Sequence, residues 1–181
     1  MLNKFFINII ISILLIIYSY ANANEPVDIW SIDKKENKNI VNLTNSDLES
    51  LSKSPSEIYK YAYDMLVQGN YAEAELSFKT FIGEHPKDTL ASNAYYWLGE
   101  TYYVQKKFQL ASISFARGYK NFPKGNKALD QLFKLSLTFI NLGKNEDACA
   151  TFSKLELEFP NAPKRISNRA KEFKQRAKCT A

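Results

Sequence analysis

From Ser54 onward, apolar residues recur at three- and four-residue spacing, and no stretch alternates as a half-buried strand would. Ser54-Pro55-Ser56-Glu57 has the form of a helix start. Ser54 can cap, Pro55 suits the first helical position, and Glu57 can reach back to the cap. The pattern predicts helices over about 55–68, 71–84, 90–105, 108–121, 127–141 and 145–159. A last helix follows over about 163–178. Gly69-Asn70-Tyr71 and Gly143-Lys144-Asn145 read as tight turns, with glycine supplying a positive φ. In the last helix Ile166, Ala170, Phe173 and Ala177 form one apolar stripe, and seven Lys or Arg fill most of the remainder.

The pattern repeats. Pro86, Pro123 and Pro160 stand 37 residues apart, as do Ala74, Ala111 and Ala148, and Phe78, Phe115 and Phe152. Tyr61, Leu98 and Leu135 keep the same step, as do Met65, Tyr102 and Phe139, and the small residues Ala62, Gly99 and Ser136. Each column has a physical reason. The small residue lets the two helices of a hairpin approach closely, and the larger side chain three residues later fills the groove between them. The helix-B alanine should meet the small position, and the phenylalanine four residues on should bury against the next hairpin. Proline ends helix B and turns the chain. The chain therefore divides into repeats over 55–90, 91–127 and 128–162, closed by a capping helix over 163–179. The fold class is all-α: a solenoid of three helical hairpins plus a C-terminal cap, resembling tetratricopeptide repeats.

The segment before these repeats is different. Lys4, the largely apolar run from Phe5 to Tyr20, and Ala21-Asn22-Ala23 read as a signal peptide cleaved after Ala23. The run is short of the ~18–20 apolar residues of a spanning helix. An uncleaved anchor is the alternative. Residues 24–54 are polar, Asn- and Lys-rich and without sustained period, which reads as a flexible linker. The expectation is an exported, periplasmic chain with no membrane insertion after cleavage.

Composition narrows the chemistry. The 181 residues are 45% hydrophobic and 14% aromatic, enough for one domain with a core. The formal charge of +5 falls to +4 once Lys4 is removed, too mild to imply nucleic acid. His85 is the only histidine and sits at a turn before Pro86, so neither a metal nor another cofactor is expected. No G-x-S-x-G, P-loop or Cys-His arrangement is present, and the carboxylates are scattered as on ordinary helix surfaces. The chain reads as a binder, not an enzyme. Cys149 and Cys179 fall on antiparallel neighbouring helices with a mismatch of roughly one turn, about 5 residues at ~1.5 Å each. Export permits a disulfide between them. Two free thiols, or Cys149 as a small core residue, are the alternatives.

The run Leu90-Ala91-Ser92-Asn93-Ala94-Tyr95-Tyr96-Trp97-Leu98-Gly99-Glu100, preceded by His85-Pro86, resembles the C-terminal domain of the periplasmic cell division coordinators of the Tol-Pal system (CpoB-type). The likeness spans about 55–179, and Ala148-Cys149-Ala150-Thr151-Phe152 is similar to alphaproteobacterial members. The resemblance implies an adaptor with protein partners. These would be a Tol inner-membrane protein and a peptidoglycan synthase, with outer-membrane constriction coupled to septal peptidoglycan synthesis. That family carries an N-terminal trimerising coiled coil, for which 24–54 is too short and too polar; this leaves the oligomeric state open. An outer-membrane assembly scaffold of similar repeats, or a plain spacer, is the rival reading.

In such solenoids the helix-A residues line the concave face. The candidate partner-binding residues are therefore Tyr59, Tyr63, Asn93, Tyr96, Trp97, Glu100, Tyr103, Lys134, Leu137 and Asn141, with Leu66, Asp130 and Phe133 nearby. Against this stands packing between hairpins. Tyr96, Trp97, Glu100 and Tyr103 carry the most weight, since one repeat has more large aromatics than its core needs. The basic last helix reads as a solvated cap, with contact to an acidic partner or the cell wall as the alternative.

Overall fold

The computed structural model describes residues 53–179; the expected signal peptide and all but the last residues of the polar segment lie outside them. Among the described residues are seven α-helices and no strand. They are α1 (Pro55–Val67), α2 (Tyr71–Glu84), α3 (Ala91–Val104), α4 (Phe108–Asn121), α5 (Ala128–Asn141), α6 (Asn145–Glu158) and α7 (Lys164–Arg176). Helix α1 packs on α2, α3 on α4 and α5 on α6, while α2–α3 and α4–α5 contacts join the hairpins. The chain is a tetratricopeptide-type solenoid of three hairpins with α7 as its cap.

Local chemistry sets the boundaries. The Ser54 N–H donates to Glu57 Oε2 at 2.8 Å, and the Ser54 hydroxyl accepts from the Glu57 N–H at 3.4 Å, closing a capping box on α1. Helices α2, α4 and α6 end at His85, Phe122 and Phe159, each directly before a proline. Their ψ values of 53°, 59° and 62° leave the helical region, as a residue preceding proline must. Inside the hairpins the turn takes a positive φ at Gly69 (79°), Lys106 (59°) and Gly143 (73°), one 37-residue column. In the second hairpin a lysine occupies the left-handed position that the others give to glycine.

The core sits between the two helices of each hairpin. Ala74, Ala111, Ala148, Phe78, Phe115 and Phe152 are fully buried. A Cβ built on Gly99 would lie 2.5 Å from Phe115 Cε1, so in the second hairpin the phenylalanine ring fills the small position of its own hairpin. Between hairpins, Gln131 is buried and its Nε2 donates to the Ser92 carbonyl at 2.9 Å. Gly118 leaves room for that amide, where any side chain would collide with it. Tyr61 departs from its column: it is 38% exposed against 6% for Leu98 and 1% for Leu135. Leu98 and Leu135 lie in hairpins that have a preceding hairpin packed on them, and none precedes that of Tyr61 among the described residues.

Candidate functional site

The first helices of the hairpins also touch one another, α1 with α3 and α3 with α5, and make a continuous inner layer. Along it runs a column outside the sequence reading: Tyr59, Tyr96 and Phe133, again 37 residues apart. Each ring meets the phenylalanine of its own hairpin. Tyr59–Phe78, Tyr96–Phe115 and Phe133–Phe152 have centroids 6.1, 5.9 and 6.3 Å apart in tilted or edge-on geometry. Tyr59 and Tyr96 therefore hold their hairpins together with one side of the ring, whatever the other side meets. The common step was the available signal.

Further aromatics join the first two hairpins. The Trp97 ring lies 4.9 Å from Tyr63 and 5.0 Å from Tyr96. Tyr103 stacks edge-on to Phe108 at 5.4 Å, and its hydroxyl accepts from Asn141 Nδ2 at 2.9 Å. Asn141 also donates to the Leu137 carbonyl. Cations cover these rings. Lys127 Nζ sits 4.9 Å from the Tyr96 centroid and 5.7 Å from that of Trp97, and Lys134 Nζ sits 5.1 Å from Tyr103.

Glu100 stands in the middle of this layer. Its Oε2 accepts from Lys134 Nζ at 2.6 Å, while its Oε1 is buried with no hydrogen-bond partner among the described residues. Asn93 Oδ1, two turns earlier on α3, is in the same condition. Burial pushes the Glu100 carboxyl above its usual range, with Lys134 opposing. Burial, then the carboxylates of Glu100 and Asp130, push the Tyr96 phenol far up, so it is a neutral donor at any physiological pH. Burial likewise raises Tyr103. The layer is a set of neutral hydroxyls and buried acceptors on an aromatic bed. That suits non-covalent recognition of an extended or helical segment.

Of the sequence-predicted residues, Tyr63, Asn93, Tyr96, Trp97, Glu100, Tyr103 and Lys134 are brought together across α1, α3 and α5. Asn141 stands at the far end of the row, and Tyr59 at the near end. Leu137 requires correction. It is 6% exposed and belongs to the core shared with Leu132, Phe152, Ile166 and Ala170. The cap explains this: α7 covers the face of α5 that the corresponding face of α3 leaves open. Phe133 is buried for the same reason.

Helix α7 brings in two residues that sequence reasoning left on a solvated cap. The Arg169 guanidinium lies 5.2 Å from the Phe133 centroid and 5.9 Å from that of Phe173. Arg165 stands one turn earlier on the same helix and is exposed, and its charge slightly opposes the rise of the Tyr96 phenol. Cys149 and Cys179 are disulfide-bonded with Cα atoms 5.4 Å apart, tying the end of the cap to α6. Among the described residues no cluster of three or more His, Cys, Asp or Glu could hold a metal ion.

A family model described as tetratricopeptide repeat matches residues 132–162, within the third hairpin and its exit. A search of curated proteins returns no match. Solved structures show the same fold. The type III secretion translocator chaperone SycD of Yersinia enterocolitica aligns with a TM-score of 0.61 at 17% identity, over 76% of this chain and 94% of that one. SycD in complex with a peptide of the translocator YopD aligns at 0.61 and 18%, over 75% and 97%. The first repeat domain of Spaghetti (RPAP3) bound to the HSP90 peptide SRMEEVD aligns at 0.55 and 16%, over 67% and 90%.

Proposed function

We propose that this chain is an exported adaptor that holds a segment of another protein against the inner face of its hairpins. Its setting on this reading is the Tol-Pal system of the cell envelope, where it couples outer-membrane constriction to septal peptidoglycan synthesis. The observation that carries the binding role is the row Tyr63, Trp97 and Tyr96, in ring contact across the first two hairpins, with Tyr103 further along α3 and with buried acceptors of Asn93 and Glu100 that have no partner among the described residues. An aromatic bed with a few buried polar groups is the composition of an interface centre. Two structures of the same fold contain peptides, of YopD and of HSP90, which supports a peptide-sized ligand. The setting rests on the resemblance of the 90–100 run to Tol-Pal coordinators, on the signal-peptide character of 1–23, and on a disulfide suited to an oxidising compartment.

The test is capture from a solubilised native envelope with the mature chain, beside the same chain carrying Trp97→Ala and Tyr103→Ala. Retention of a Tol inner-membrane component by the first and not by the second is expected. Retention of outer-membrane assembly components, or of nothing, sinks the Tol-Pal setting. Equal retention by both chains sinks the groove.

A further inference from the structure

The inner face is unevenly charged, and the imbalance has an address. Its two carboxylates are already matched: Glu100 by Lys134 at 2.6 Å and Asp130 by Lys127 at 3.6 Å. Arg165 and Arg169, one turn apart on α7, are not matched. Both are exposed, and neither has a carboxylate within ion-pair reach among the described residues. Lys174, on the same helix, shows the contrast, since it turns to Glu156 of α6 at 2.7 Å. Arg169 also has aromatic support: its guanidinium lies 5.2 Å from the Phe133 centroid and 5.9 Å from that of Phe173, and it carries several N–H donors. A side chain resting against aromatic rings loses less conformational freedom on binding than a solvated lysine does.

We infer that the groove, on the binding role proposed above, is built for a carboxylate-rich protein segment, and that Arg165 and Arg169 of the capping helix are the residues that hold its acidic side chains. The cap is then a wall of the binding site as well as a lid on the core. The two arginines are separated by four residues, ~6 Å along the helix axis. Acidic residues two apart in an extended segment present their side chains ~7 Å apart on one side, which matches that spacing. Apolar side chains between them would turn toward Tyr96, Trp97 and Tyr103. Arginine–carboxylate pairing of this kind is stronger than neutral hydrogen bonding and is geometrically selective. It discriminates against a basic segment, which would meet Lys127 and Lys134 as well as the two arginines.

Fluorescence anisotropy with labelled peptides decides the matter. Three short peptides of equal length would alternate leucine with glutamate, glutamine or lysine, and would be titrated with the whole mature chain. The glutamate peptide should bind roughly tenfold tighter than the glutamine peptide, and the lysine peptide weakest. The glutamate advantage should shrink as NaCl is raised from ~50 to ~300 mM. Arg165→Gln with Arg169→Gln should remove the advantage, so that the glutamate and glutamine peptides bind this variant equally. Arg165→Gln alone, which disturbs no ring contact, should remove part of it with an unchanged melting temperature. Equal affinities for glutamate and glutamine peptides, or an advantage that survives the double substitution, overturn the role of the arginines while the groove stands. If none of the three binds, both the inference and the groove fall.

Discussion

Glu100 shows how one side chain is held between two demands. Its helix places it among Tyr96, Tyr103 and Lys134, where burial disfavours the carboxylate and Lys134 favours it. Burial prevails, so the folded chain keeps this proton to higher pH than the unfolded chain does. The stabilisation linked to that proton is fully present below the unfolded carboxyl pKa and is lost as pH rises through the folded value. Glu100→Gln abolishes this titration. Its stability relative to wild type should therefore become more favourable as pH rises from ~4 to ~7. Denaturant unfolding of both proteins across that range measures the trend. A difference that stays flat, or moves the other way, would mean that the ion pair with Lys134 outweighs burial. The same residue marks a limit of sequence reading. Its place on the inner face follows from helical spacing, but its unpartnered oxygen depends on how far Lys134 reaches from another helix, which no local pattern encodes.

At the scale of elements, the helices were legible because their punctuation is chemical. A capping box opens α1, and a residue forced out of the helix by the following proline closes α2, α4 and α6. Interdigitation was less legible. Tyr59, Tyr96 and Phe133 read as groove residues by position, yet each is a tilted or edge-on partner of its hairpin's phenylalanine. Leu137 occupies the same repeat position as Glu100 but is buried, because α7 lies over α5 and no such helix lies over α3's exposed stretch. Whether a helix-A residue is groove or core thus depends on its neighbour, and the cap decides it for the third hairpin. The cap itself is secured by Ile166 and Ala170 in the core and by the Cys149–Cys179 bond, which closes a 30-residue separation. In the chain-entropy account such a loop contributes about 3–4 kcal/mol. Cys149→Ser with Cys179→Ser should lower the unfolding free energy by about that amount in non-reducing buffer, and reductant should lower the wild type similarly. A loss below ~1 kcal/mol would show that the apolar stripe of α7 holds the cap unaided.

Across the whole molecule, the two ends of the solenoid are unequal. A repeat array is stabilised by each unit and by each interface with a neighbour, so a terminal unit lacks one interface. The third hairpin has its outer side closed by α7, which is also covalently tied to α6. The first hairpin has no such cover among the described residues. Tyr61 is 38% exposed where its repeat equivalents Leu98 and Leu135 are nearly buried. Opening from the N-terminal end therefore sacrifices little buried apolar area. Opening from the other end must break the disulfide or carry α6 and α7 away together. Amide exchange of the oxidised protein should follow this gradient, with α1 and α2 exchanging first, α3 and α4 next, and α5 last. Hydrogen exchange followed by peptide mass spectrometry reads the order directly. Uniform protection would mean that the three hairpins open as one cooperative unit, and protection of α1 above α5 would mean that the first hairpin's exposed face is covered in solution. The gradient bears on binding as well. The aromatic row spans the first and second hairpins, so a segment seated on Tyr63 and Trp97 bridges the weakest interface of the array. Ligand should then slow exchange in α1 more than in α5, because it stabilises only the states in which both hairpins are folded.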